Sequence, residues 1–266
     1  MTPPKERFIE TPFGTTRCLV AADQSNAGPL TLLVHGSGGC ADVWRPMLEL
    51  FRHVRAMAVD LPGHGGSTGP RLGTAEEYAA FIDSLRASLG QSRVLVVGQS
   101  LGGAIAQRYA LDYAGQCAGI VIANSAPDFH ITPERFDAIT GQWEQAVDAY
   151  AAGQVSPGAS DALKAAARRM VSERDPAAFV DDLAVCNRFS SRAWASRLAV
   201  PTMILAGRED VLTAPERSLA LLELIRHAEF VMLTPCGHCT MLEQPARFAA
   251  EVDLFALHSV GSAATA

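Results

Sequence analysis

Residues 93–103 read Arg-Val-Leu-Val-Val-Gly-Gln-Ser-Leu-Gly-Gly, an apolar run that enters Gly98-x-Ser100-x-Gly102 and continues into helix-prone sequence over 104–110. A turn that lifts one serine clear of its neighbours needs small flanking residues, because strand and helix approach closely at the bend. Gly98, Gly102 and Gly103 meet that demand. The bare pattern arises by accident in glycine-rich chains; its setting between a β-branched run and an amphipathic helix makes Ser100 a candidate nucleophile. A serine hydroxyl attacks poorly at neutral pH unless a base lies within hydrogen-bond reach and a third group fixes the tautomer of that base. Both partners must therefore sit in loops at the same ends of neighbouring strands. His238 follows the apolar run 229–233, and Asp210 closes Gly207-Arg208-Glu209-Asp210 directly after the run 202–206. Asp128, after the run 119–124, competes with Asp210 as the acid. Such a trio would transfer acyl groups through a covalent intermediate, with the backbone N–H of Leu101 at a helix start as one donor to the developing oxyanion.

The elements that must hold these residues are legible as alternation. Strand-length apolar runs recur at 30–35, 54–60, 93–98, 119–124, 202–206 and 229–233, and their continuous hydrophobicity marks strands covered on both faces. Helix-period stretches lie between them at 42–51, 74–89, 101–113, 215–227 and 245–257. The expected class is α/β, a mostly parallel central sheet of about eight strands flanked by helices. Segments 7–10 and 16–21, split by Pro12-Phe13-Gly14, read as an antiparallel hairpin at one edge. The alternation breaks between residues 128 and 195, where only helical segments appear, at 133–152, 160–171 and 176–189. This predicts a core of residues 1–127 and 196–266 with a helical cap, 128–195, inserted in it. The cap carries Phe129, Phe136, Trp143, Tyr150, Phe179, Phe189 and Trp194; most are expected to pack it onto the core, and a minority to line a pocket above Ser100. The tail 262–266 reads as frayed.

Composition narrows the partners. At 266 residues the chain can bury a large core without staples, and a net charge of −6 with interleaved signs argues against nucleic acid or an anionic membrane surface. No run approaches a membrane span and the start lacks an apolar leader, so a cytoplasmic protein is expected. An apolar cap face could support a homodimer. The six cysteines are scattered, which reads as buried thiols. Cys236-x-x-Cys239 has redox-motif spacing but lies late in a long chain, and both are expected to be packing residues. His35 and His64 belong to turns whose backbone they would satisfy, Asp60 should brace the turn after its strand, and His53, His130, His227 and His258 have no chemical context. No metal-ligand spacing, phosphate loop or dinucleotide fingerprint is present, so no metal and no cofactor are expected.

Taken together, four motifs resemble the α/β-hydrolase-fold serine hydrolases from about residue 30 to 257. They are His35-Gly36; Asp60-Leu61-Pro62-Gly63-His64-Gly65-Gly66-Ser67; the serine turn; and Gly-x-x-Asp followed by Gly-His, with Glu243-x-Pro245 behind it. The resemblance implies Ser100 as nucleophile, His238 as general base and then general acid, and Asp210 as its orienter. It also implies a second oxyanion donor in the backbone N–H of Ser37, with His35, Gly36, Gly98 and Gly102 shaping the turns. A carboxylesterase-like enzyme acting on small to medium apolar esters is the leading expectation. Serine in the nucleophile slot argues against epoxide or haloalkane chemistry, whose relatives use Asp there. Carbon–carbon bond hydrolysis and lactone opening use the same trio; relatives of the former commonly carry Trp after the catalytic histidine, where this chain has Cys239. Two other classes are a slow-turnover ligand receptor on the hydrolase shell and a thiol oxidoreductase.

Overall fold

The computed structural model describes residues 4–21 and 29–260; the 262–266 tail lies outside them. Its strands are β1 (Lys5–Thr11), β2 (Gly14–Val20), β3 (Leu30–Val34), β4 (Arg55–Val59), β5 (Val94–Gln99), β6 (Cys117–Ala123), β7 (Thr202–Gly207) and β8 (Glu229–Leu233). They form one eight-stranded sheet in the order β1-β2-β4-β3-β5-β6-β7-β8. β1 and β2 make the expected edge hairpin, pairing Phe8 with Arg17, and β2 runs antiparallel to β4. From β4 to β8 every pair is parallel.

Helices cover both faces, which is why the central strands are apolar without alternation. The helices are α1 (Arg45–Leu48), α2 (Ala75–Ser88), α3 (Leu101–Asp112), α4 (Pro133–Gly141), α5 (Trp143–Ala152), α6 (Asp161–Ser172), α7 (Pro176–Arg188), α8 (Pro215–Leu224), α9 (Thr240–Glu243) and α10 (Pro245–Phe255). Leu32, Val34, Val96 and Ile122 join Phe81 of α2, Ile105 of α3 and Leu221 of α8 in one cluster. The intervening Leu33, Val97 and Val121 pack instead with Met47 of α1 and Phe248 and Val252 of α10. Each such fully buried aliphatic side chain contributes about 1.5–3 kcal/mol of transfer free energy.

Two helical stretches differ from expectation. The 42–51 segment makes a tight turn at Ala41–Trp44 and then the single-turn α1, because Pro46 lacks the N–H that would continue the first turn into the second. The 133–152 stretch divides into α4 and α5 at Gly141 and Gln142, where Gln142 leaves helical geometry at φ −143° and ψ 56°. α4 to α7 all fall between β6 and β7. Phe179 of α7 is their centre, with the rings of Tyr150 and Trp143 at 4.8 and 5.5 Å. Among the described residues no helix is long and apolar enough to cross a membrane.

Candidate active site

Ser100 joins β5 to α3 with φ 56° and ψ −115°, a conformation that costs a non-glycine residue energy and persists only where its surroundings enforce it. The enforcement is visible. Ser100 N donates to Ala123 O at 2.9 Å, Ser125 Oγ donates to Ser100 O at 2.8 Å, and Gly103 N donates to that same carbonyl. The flanking glycines are required by contact: a Cβ on Gly98 would stand 1.9 Å from Gly102 O, and one on Gly102 would stand 2.3 Å from Val34 O.

His238, nearly fully buried, lines a cavity together with Ser100, reaching it from the loop after β8. Its Nδ1 lies 2.8 Å from Asp210 Oδ2. Asp210 Oδ1 accepts the N–H groups of Leu212 and Thr213, each at 2.9 Å, and Oδ2 also accepts from Asn124 Nδ2 at 3.0 Å. A carboxylate so placed only accepts, so the proton between the pair sits on Nδ1 and the Nε2 lone pair is left for another donor. Asp128, the competing acid, is engaged elsewhere: although burial pushes its carboxyl up, Arg192 and Arg217 hold it below the usual carboxylate range.

Ser100 and His238 line a cavity of about 50 Å³ together with Ser37, Tyr150, Leu183 and Cys186. A second cavity of about 520 Å³ is lined by Gly36, Gln99 and Cys239, the immediate chain neighbours of Ser37, Ser100 and His238, so the same three loops wall both spaces. Leu101 opens α3, so no intrahelical carbonyl reaches its N–H. Among the described residues no protein acceptor takes the Ser37 N–H either. His35 braces that loop from beneath: Nδ1–H donates to Gly36 O at 2.8 Å and Nε2 accepts from Leu61 N at 3.1 Å. Asp60 accepts from Ala41 N and Gly66 N, and its Oδ2 lies 3.1 Å from Arg17 Nη1.

A model described as the alpha/beta hydrolase family matches residues 31–251. The chain belongs to that family. Among relatives of this alpha/beta hydrolase, the pimeloyl-[acyl-carrier protein] methyl ester esterase of Nitrosospira multiformis is 27% identical over 86% of this chain and 95% of its own. The 2-hydroxy-6-oxo-2,4-heptadienoate hydrolase of Pseudomonas putida is 30% identical over 82% of this chain and 85% of its own. A solved structure of a thermophilic esterase superposes with a TM-score of 0.84 at 26% identity, covering 97% of this chain and 99% of that one.

Several contacts around the hydrolase site escaped sequence reasoning. Asn124, at φ 47°, donates to Asp210 and to Gly237 O and accepts from Thr240 Oγ1 at 2.8 Å. The signal available for it was an Asn closing an apolar strand, a residue type that tolerates positive φ. Glu243 accepts Gly237 N at 2.5 Å and Ser156 Oγ at 2.6 Å, and Glu209 accepts Cys236 N at 2.5 Å, so two carboxylates anchor the loop that presents His238. Cys236 and Cys239 are both buried, and burial first, then nearby carboxylates, push the Cys236 thiol up; burial takes Cys239 to about 12. A raised thiol disfavours the thiolate that redox chemistry needs.

Proposed function

We propose that this alpha/beta hydrolase is a serine esterase that cleaves small to medium apolar carboxylic esters through an acyl-Ser100 intermediate. The observation carrying the reading is the cavity shared by Ser100 and His238, with Asp210 2.8 Å behind the imidazole. His238 Nε2 takes the Ser100 proton as Oγ bonds to the ester carbonyl carbon, and the carbonyl oxygen becomes an oxyanion held by the N–H groups of Ser37 and Leu101. The intermediate collapses as His238 returns that proton to the departing alkoxide. Water then attacks the acyl carbon, giving its proton to His238, and Ser100 leaves with that proton as the carboxylic acid is released. Asp210 keeps Nδ1–H aligned throughout and stabilises the transient imidazolium. Residues 128–195 act as the cap over this chemistry, on a core of 1–127 and 196–266.

Ile131, Ile139 and Leu183 contribute apolar walls to a space of about 50 Å³, which suits short acyl groups. The esterase named among the relatives supports ester cleavage as the reaction. Carbon–carbon bond hydrolysis is the second reading, favoured by the Pseudomonas putida relative and weakened by Cys239 in the place after His238.

A panel of p-nitrophenyl esters graded in acyl length, run on wild type and Ser100→Ala, tests the reading. Saturable turnover is expected, strongest for short acyl chains and reduced at least ~1000-fold by the substitution. Undiminished hydrolysis by Ser100→Ala overturns it, and ester binding without turnover in the wild type indicates a receptor.

A further inference from the structure

The turn after β4 carries a second buried histidine–carboxylate pair that the proposed reaction does not use. His64 Nε2 lies 3.0 Å from Asp182 Oδ2 of α7, and both side chains are sealed from solvent. The other ring nitrogen, Nδ1, lies 3.0 Å from Pro62 O. A neutral imidazole has a single N–H, so beside a carboxylate one of these contacts would set a lone pair against an oxygen; with Asp182 ionised, as its two further donors favour, only the imidazolium satisfies both. The His35 and His64 centroids are 5.3 Å apart, and His35 is held down to about 4, by burial first and then by the charge of His64.

Asp182 has two further donors. Gly38 N–H donates to Oδ2 at 2.7 Å and the Tyr78 hydroxyl of α2 donates to Oδ1 at 3.2 Å. α7 comes close enough to this loop that a Cβ on Gly38, itself at φ +61°, would stand 2.9 Å from Phe179 Cβ. One carboxylate on a helix between β6 and β7 thus grips the peptide that follows Ser37.

We propose that Asp182 is a positioning residue for the oxyanion loop: its carboxylate fixes the Gly38 N–H, and through it the Ser37 N–H, while the His64 imidazolium supplies the countercharge that allows the carboxylate to be buried there. This rests on the reading of Ser37 N–H as an oxyanion donor. A buried carboxylate that loses its partner charge is costly, so deprotonation of His64 loosens the grip. The groups facing His64 are Asp182 on α7, His35 after β3, Arg71 before α2 and, across the carboxylate, Tyr78 on α2. Burial lowers His64 and Arg71 opposes its charge, but the hydrogen bond and charge of Asp182 outweigh them and raise it above the ordinary histidine value. The pair is therefore intact below that raised value and is lost as pH rises through it.

Two measurements decide the matter. In wild type, ¹⁵N NMR of the histidine rings is expected to show His64 protonated on both nitrogens at pH 7. In ester kinetics normalised to fluorophosphonate-titrated sites, Asp182→Asn is expected to lower kcat about ten-fold with KM within about two-fold, and His64→Gln to abolish an alkaline fall in kcat that wild type displays. A merely structural Asp182 would lower the titratable fraction and leave kcat per site unchanged. A neutral His64 at pH 7, or unchanged kcat per site with the same pH profile in the variants, overturns the proposal. Where Asp182→Asn fails to fold, the wild-type ring protonation and the His64→Gln profile still decide. Hydrolysis surviving in Ser100→Ala would sink the esterase reading itself; its loss there, with Asp182→Asn unaffected, would sink only the clamp.

Discussion

Asn124 donates its side-chain amide to Asp210 Oδ2 at 3.0 Å, the same oxygen that faces His238 Nδ1. That amide nitrogen also reaches Gly237 O at 3.2 Å, so one side chain ties the carboxylate to the backbone beside His238. Asn124→Gly keeps the left-handed backbone available while removing the clamp. Losing a hydrogen bond to a charged group costs about 1.5–3 kcal/mol, which corresponds to a fall in kcat/KM of roughly 10- to 100-fold if the loss is felt in the transition state. Esterase kinetics with a parallel melting curve check this; an unchanged kcat/KM would show that Asp210 holds its place unaided.

The backbone that carries Ser100, Asp210 and His238 was legible because each sits within a few residues of a continuous apolar strand in a parallel sheet, so one sheet edge had to collect them. The glycines at 98 and 102 were legible for the same local reason. Asp182 was not. Its significance depends on α7 approaching Gly38 across 144 residues of sequence, and within its own helix it is one of two adjacent aspartates, Asp181 and Asp182, with nothing local to single it out. The division of 133–152 was hidden because Gly141 and Gln142 each tolerate helix, and tertiary packing of Trp143 against Phe179 sets where the turn falls. The tight turn at 41–44 could have been read from Pro46, whose missing N–H outweighs the apolar spacing around it.

Leu183, 7% exposed, walls the small cavity beside Ser100. Leu183→Ala enlarges that space. The ratio of kcat/KM for an octanoyl over a butanoyl ester is expected to rise about ten-fold, since each methylene accommodated in an apolar pocket is worth about 1–3 kcal/mol. The stability cost should lie near the lower end of the ~2–5 kcal/mol range for such truncations, because the site already borders empty space. An unaltered chain-length profile would mean that the acyl group lies elsewhere, on the side of the larger cavity.

His35 is neutral in the fold and held at about 4 by burial and by His64, whereas its ordinary value is 6.5. Between those values the unfolded chain binds a proton that the folded chain refuses. Stability from this residue is therefore complete above pH 6.5 and is lost as pH falls toward 4, by about 3 kcal/mol across the window. Urea midpoints measured at pH 7 and pH 4.5 should differ in that direction, and His35→Gln should flatten the difference. A variant with the wild-type slope would place the acid sensitivity in other groups.

The central claim is that Ser100 becomes acylated. Intact-mass spectrometry of the protein quenched during steady-state hydrolysis of a short-chain p-nitrophenyl ester, with peptide mapping of the adduct, tests it most directly. One acyl group on the peptide containing Ser100, absent from Ser100→Ala, is the expected result. Turnover by the wild type with the same substrate and an adduct on any other residue would contradict it.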